Sequence, residues 1–233
     1  MIEKIAILGD FNPIHSTLHS LNDSTRQIEK YLNIEIQFDW VSTDIFDSIT
    51  VFDKISYKGL WIAPGSPYKD MDNVLRAIKY TRENKIPTFG NCGGFQHMII
   101  EFAKNVCKIE SADHEETNPN SPNLLIKKLA CSLKGEQENL EIIEKDSFLY
   151  KSLKSEKFLG NYNCSYGVNE SYVDLLTQNG LTFTSKSDDG NYRSFEIKGH
   201  PFFVGTLFQP ALTSTVENPN PIIVEFIKQS LKI

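Results

Sequence analysis

Apolar residues gather in short runs along the first part of the chain, and the stretches between them carry apolar positions at helical spacing. Ile5 to Leu8 reads as a first strand; Leu18, Leu21, Ile28 and Leu32 then fall near helical spacing, and Glu35 to Val41 reads as a second strand. Gly59 to Ala63 reads as a third strand ending in the turn PGSP, followed by a helix with Met71, Val74, Leu75 and Ile78 on one face, and Ile86 to Phe89 as a fourth strand. Strands alternating with helices predict a parallel sheet joined by crossover helices. From about 117 to 156 the texture changes: SerPro and AsnPro turns alternate with LLIKKL, LEIIEKD and FLY, which predict short strands or hairpins beside the main sheet. FTSKSDDGNYRSFEIKG predicts a hairpin, FFVGTLF a compact buried strand, and Ile222 to Leu231 a closing helix. No repeat or linker divides the chain, so one α/β domain over 1–233 is expected, with an open, mainly parallel sheet flanked by helices and added short strands.

Composition narrows the partners. The net charge of −6 lacks the basic footprint of nucleic-acid or anionic-membrane binding, which leaves small-molecule metabolites or protein partners. No apolar run approaches a membrane span, and a strand-like KIAIL close to the start leaves no room for a signal peptide, so a cytoplasmic protein is expected. Cys92, Cys107, Cys131 and Cys164 lack CxxC spacing, and reduced thiols are the default.

The most informative stretch is IPTFGNCGGFQHMIIEFAKNV, where a strand runs through GNCGG into a helix bearing Phe95, Ile99, Phe102 and Val106 on one side. A nucleophile on so tight a turn needs small neighbours, and the helix aims its N-terminal amides at the side chain, which lowers a thiol's pKa. The Gly93 amide is then one oxyanion donor, and the turn around Gly65 and Ser66 is placed to supply the second. The plainer alternative is that Cys92 is a small buried residue in a glycine turn.

At these residues the chain resembles the class I glutamine amidotransferases, and in particular the glutaminase domain at the C-terminus of CTP synthase. The resemblance extends through WIAPGSPY, YGVNESYVDLL and HPFFVGTLFQPALTS, and implies a flavodoxin-like fold. In that family a cysteine attacks the glutamine side-chain amide, and a histidine supported by a glutamate relays protons from an HPE motif. Here the motif reads QPA: Gln209 stands at the histidine position and Ala211 at the glutamate position, and a glutamine amide is no general base. Ser165, before Tyr166, replaces an arginine that the resemblance assigns to the substrate carboxylate; losing such a contact costs about 1.5–3 kcal/mol. Glu116 matches the glutamate that meets the substrate ammonium. In the oxyanion loop, Pro67 removes one backbone donor while Ser66 keeps its amide. The resemblance begins with the first strand, so a complete CTP synthase is not expected, and any ammonia would need an outside acceptor such as a separate synthetase.

Five histidines are available to replace the lost one. His114 is the candidate base or ligand contact, against an exposed loop histidine in an acidic run. His15 and His19 follow the first strand, whose end faces the ligand crevice in such sheets, and His15 is a candidate substrate contact. Were 15 to 19 helical, these two could join His114 or Asp10 around a metal, but spacing identifies no third ligand, and neither metal nor cofactor is expected. His97 is expected to pack or cap near the elbow helix, and His200 to be structural. Cys164, in NYNCSYG, is open to two readings, a second thiol near Cys92 or a buried strand cysteine.

Three functions follow. The first is a cysteine-dependent hydrolase or acyl-transfer enzyme acting on a small amide or ester, with Cys92 and His114 catalytic and Gln209, Glu116, Ser165, Tyr166 and His15 at the substrate. The others are a non-catalytic ligand- or partner-binding relative and a glutaminase subunit feeding a separate synthetase.

Overall fold

A computed structural model describes residues 2–45, 52 and 55–233. The main sheet has nine strands in the order β2-β1-β3-β4-β12-β11-β10-β7-β8. Its parallel half comprises β1 (Glu3–Leu8), β2 (Ile36–Val41), β3 (Gly59–Ile62), β4 (Thr88–Asn91) and β12 (Phe203–Thr206). Ile5 to Leu8 and all of β3, β4 and β12 are buried, as strands covered on both faces must be, which is why Ile5–Leu8 and β3 read as unbroken apolar runs rather than alternations. Three helices of this half are α1 (Ser16–Leu32), α2 (Met71–Glu83) and α3 (Gly93–Asn105). Asp70 caps α2 by accepting from the Asn73 amide at 2.8 Å.

The antiparallel half adds β7 (Gln137–Ile142), β8 (Lys157–Asn161), β10 (Leu181–Ser187) and β11 (Tyr192–Ile197). The AspAspGly hairpin is β10–β11. The region 117 to 156 divides in a way the strand patterns did not show. LEIIEKD supplies β7 of the main sheet, whereas LLIKKL forms β6 (Asn123–Lys128) in a separate small sheet with β5 (Ala112–His114) and β9 (Tyr166–Val168). FLY is not a strand: it opens α4 (Phe148–Leu153), because Ser147 caps that turn, its hydroxyl accepting from the Tyr150 amide at 3.1 Å. The fourth strand begins two residues later than the pattern placed it, since the Ile86 amide closes a turn onto the Thr81 carbonyl and Pro87 has no amide to donate. Helices α5 (Val173–Gln178) and α6 (Pro221–Leu231) lie in the last third of the chain, and α6 starts on Pro221 with Asn220 as its cap.

Helix α3 lies between the two sheets, touching β4 and β12 on one side and β5, β6 and β9 on the other. Every residue from Gly93 to Ala103 is consequently buried, including the polar Gln96, His97 and Glu101. Glu101, fully buried, is met by both guanidinium arms of Arg82, at 2.7 and 2.9 Å. Burial pushes its carboxyl upward and the Arg82 contacts oppose this. Removing the arginine strands a carboxylate in the core, so Arg82→Ala is expected to lower unfolding free energy by about 3 kcal/mol. The urea midpoint at pH 7 measures this, and an unchanged midpoint would deny the pair its structural role.

Candidate active site

The C-terminal ends of β1, β3, β4 and β12 converge on one edge of the parallel half, where open α/β sheets build their sites. They deliver, in turn, Asp10, the Pro64–Pro67 turn, Cys92 and Gln209 to a cavity of about 830 Å³. Asp10 fastens the first of these ends: its carboxylate accepts from the Lys69 amide at 2.8 Å, the Thr43 amide at 3.0 Å and the Ser42 hydroxyl at 2.7 Å. Burial opposes its charge, yet these bonds hold it below the usual carboxylate range.

Cys92 sits between β4 and α3 with φ +52° and ψ −108°. That strained conformation is fixed by its own amide, which donates to the Thr206 carbonyl of β12 at 2.9 Å, and by its carbonyl, which accepts from the Gln96 amide at 3.2 Å. Both neighbouring glycines are sterically required. A Cβ on Gly94 would stand 2.7 Å from the Ile62 carbonyl oxygen, and one on Gly93 only 2.9 Å from the Ser66 backbone nitrogen. The second clash shows how closely the turn after β3 approaches the start of α3. The two expected amide donors, Gly93 and Ser66, therefore flank the same corner, and Gly65 with φ +115° supplies the bend.

Cys92 is 7% exposed and lines the cavity. Its neighbours are unusual. The Cys164 sulfur lies 2.6 Å away, so of the two readings of Cys164 it is the paired one that the geometry matches. The Cys164 side chain is the first cause that lowers the Cys92 pKa; burial opposes it, and the Gly93 amide and the Gln209 side-chain amide reinforce it. Cys164 itself is pushed well up, first by its bond to Cys92 and then by burial. Of the two, Cys92 is made the more acidic thiol and Cys164 the less acidic one.

His114 does not stand where a base must. It is buried away from the cavity, its Nε2 donating to the Gln96 Oε1 at 3.2 Å and its Nδ1 accepting from the Glu116 amide at 3.1 Å. Both ring nitrogens are thus engaged. Burial first, and then His97 beside it, push its pKa down to about 3, far from the neutral range a general base needs. The expectation of His114 as a base is corrected accordingly: it orients Gln96, whose Nε2 donates to the Tyr166 carbonyl at 2.9 Å and to the Cys164 sulfur at 3.6 Å. Nor is His114 the exposed loop histidine of the other reading, being 1% exposed.

Glu116, Ser165, Tyr166, His15 and Gln209 all line the cavity. The Ser165 hydroxyl meets that of Ser132 at 3.0 Å, and Glu116 faces the charge of Lys134, though burial still raises its pKa. Lys69, Lys128, Lys134 and Asn163 join the lining without having been singled out in the sequence. Gln96 was missed too, although its spacing of one helical turn from Cys92 was the available signal. His15 is the N-cap residue rather than part of α1, while His19 turns its Nε2 to the Pro13 carbonyl at 2.8 Å. Among the described residues no three His, Cys, Asp or Glu side chains converge as a metal site. His97 bonds the Gly93 carbonyl at 2.9 Å, and His200 Nδ1 accepts from the Phe202 amide at 3.2 Å. No helix among the described residues is long and apolar enough to cross a membrane.

Comparison with known proteins gives this corner a lineage. CTP synthase from Nautilia profundicola is 28% identical over 98% of this chain and 46% of its own length, and that from Sulfurisphaera tokodaii is 30% identical over 97% and 44%. The chain thus spans less than half the length of these curated relatives. Among solved structures, the glutaminase domain of Trypanosoma brucei CTPS with bound acivicin superposes with a TM-score of 0.85 at 23% identity, covering 99% of this chain and 94% of that one. A glutamine amidotransferase from Thermotoga maritima superposes with a TM-score of 0.62 at 9% identity, covering 100% of both chains. The sequence family described as glutamine amidotransferase class-I matches residues 16–229, nearly the whole chain, and the protein belongs to that family.

Proposed function

We propose that this protein is a cysteine-nucleophile hydrolase or acyl-transfer enzyme acting on a small acyl donor, and that it is not an ordinary glutaminase. The observation that carries this reading is the Cys92 sulfur at a cavity edge, with the Gly93 and Ser66 amides on one side and the Cys164 sulfur on the other. These contacts shift the Cys92 thiol toward ionisation without an imidazole, and attack on a carbonyl then proceeds from its thiolate fraction. Departure of the leaving group is a separate demand. An amine leaves only when protonated, and no side chain among the described residues that touches the sulfur titrates near neutrality in the manner of histidine. An alkoxide or thiolate of low basicity leaves unaided. Small esters and thioesters are therefore the favoured donors, with amides behind them. Ser165 in place of a carboxylate-binding arginine weighs against glutamine itself.

The test uses p-nitrophenyl acetate. Acetylation is expected on Cys92, seen as a mass increment on the peptide Ile86–Lys104, with a rate that rises with pH to a midpoint below the ordinary thiol value of about 8.5. A midpoint at or above that value, or acetylation spread over surface lysines with Cys92 unmodified, overturns the reading.

A second reading has its own support. Gln209, His114 and Ala211 leave the described site with no proton relay, which suits a non-catalytic domain that binds a metabolite or a protein partner in the inherited crevice. The likeness to CTP synthases would suit a glutaminase component that works with a synthetase. Glutamine turnover measured with and without such a partner decides that last possibility.

A further inference from the structure

We propose that Cys92 and Cys164 together form a hydroperoxide-reactive modification site, in which Cys92 is oxidised and Cys164 resolves it to an intramolecular disulfide. The inference uses the same thiolate as the acyl reading but does not require acyl chemistry.

The geometry is specific. The two sulfurs are 2.6 Å apart, nearer than two unbonded sulfurs ordinarily approach, and about half an ångström of closure brings them to a disulfide bond length of about 2 Å. The Cys92 backbone is held by Thr206 and Gln96 at the corner between β4 and α3. Cys164 lies on the non-helical, non-strand connection between β8 and β9, so the small adjustment falls on the side able to make it. That connection is tethered at its carbonyls, with Cys164 accepting from the Leu133 amide and Ser165 from the Leu129 amide, both at 2.9 Å, which leaves the Cys164 side chain directed at Cys92. Both residues line the 830 Å³ cavity, through which a molecule as small as hydrogen peroxide reaches the sulfur. The remaining cysteines take no part: Cys131 is exposed, Cys107 half-buried, and neither lines the cavity.

The chemistry balances. The Cys92 thiolate attacks one peroxide oxygen, the O–O bond breaks, and the departing hydroxide (or alkoxide from an organic hydroperoxide) takes a proton from solvent. Cys92 is now a sulfenic acid. The Cys164 sulfur then attacks the Cys92 sulfur, an S–S bond forms as the S–O bond breaks, and the Cys164 proton leaves with the hydroxyl as water. Two electrons have moved from the thiol pair to one peroxide, and a low-molecular-weight thiol returns them by exchange.

The experiment uses the full chain carrying Cys107→Ser and Cys131→Ser, reduced and then treated with one equivalent of hydrogen peroxide. The expected result is loss of two hydrogen masses, a linked pair of tryptic peptides Ile86–Lys104 and Phe158–Lys186, and loss of both thiols to iodoacetamide, reversed by dithiothreitol. In a further Cys164→Ser variant, dimedone is expected to trap a sulfenic acid on Cys92, and no linked peptide forms. Because the linked peptide is read on the chain with Cys164 intact, the conclusion survives should the serine variant fold poorly. Both thiols remaining alkylatable, or Cys92 passing to sulfinic acid with Cys164 still free, overturns the proposal. Disulfide formation without acetylation by p-nitrophenyl acetate would sink the acyl reading alone, and acetylation without disulfide formation this one alone.

Discussion

Lowering the pH from 7 to 3 is expected to remove about 5 kcal/mol of this protein's stability, and the loss should come chiefly from two histidines in its interior. His97 and His114 are both buried, with ring centroids 6.0 Å apart. Burial holds their pKa values at about 4 and about 3, against an ordinary value of 6.5. A basic group depressed in this way contributes stability that is whole above pH 6.5 and is lost as pH falls toward the folded values, because the unfolded chain takes up the protons first. At 1.36 kcal/mol per unit the two together forfeit about 8 kcal/mol by pH 3. Glu196 works the other way. It is buried against α4, accepting from the Phe148 amide at 2.8 Å, and burial raises its pKa to about 7 from 4.5. A carboxyl raised in the fold costs stability above its unfolded value, so about 3 kcal/mol returns as pH drops from 7 to 4.5. The sum is a stability maximum near neutrality and a decline that sets in below about pH 6.5 and loses the Glu196 compensation below about pH 4.5. Set against a total of about 5–15 kcal/mol for a typical domain, the decline brings the protein near its acid transition. Urea midpoints at pH 7, 5 and 3.5 measure it, and Glu196→Gln separates the two contributions by raising the midpoint at pH 8 while leaving the acid limb in place. A midpoint that stays level from pH 7 to 3.5 would show that these imidazoles are not held neutral by the fold.

The second large effect concerns position 209. Gln209 is 2% exposed, anchored by its amide to the Asn161 carbonyl at 2.8 Å, and its side chain is directed at the Cys92 sulfur. Gln209→His with Ala211→Glu places an imidazole and its orienting carboxylate after β12. The pair is expected to raise kcat/KM for an anilide by about 10²–10⁴-fold, the usual worth of a positioned acid–base group. The p-nitrophenyl ester of the same acyl group should gain far less, since its leaving group needs no proton. The ratio of the two gains is the informative quantity. Equal gains, or none, would remove the leaving-group argument on which the preference for esters and thioesters rests.

Much of the frame could be read from the residues, and the reason is burial. Ile5 to Leu8 and Gly59 to Ile62 are covered on both faces, so nothing polar interrupts them and their strands were marked within a residue or two. The elbow was equally plain, because the crowding at Gly93 and Gly94 dictates glycines that appear in the sequence as GNCGG. Position in three dimensions was harder. LLIKKL and LEIIEKD look alike as strings, yet they enter different sheets, since pairing partners lie dozens of residues away. FLY failed for a local reason, a serine cap outweighing aromatic strand preference. His114 shows the limit most clearly. Its acidic neighbours suggested a wet loop, but the side chain turns inward beneath α3 and spends both nitrogens on Gln96 and the Glu116 amide. The closeness of Cys164 to Cys92, 72 residues apart in the chain, was legible only as one alternative of two.

Helix α3 has a sheet on either flank and offers water no face over most of its length. Such a rod cannot tilt or slide without disturbing two packed layers at once, which fixes the coordinates of the sulfur to the frame of the whole domain. Breathing that admits a guest must then be assigned to the connections after β1 and β3 and to Asn163–Ser165. Across a series of differently liganded crystals, displacement should accumulate in those three segments while the Cys92 corner serves as the stationary reference.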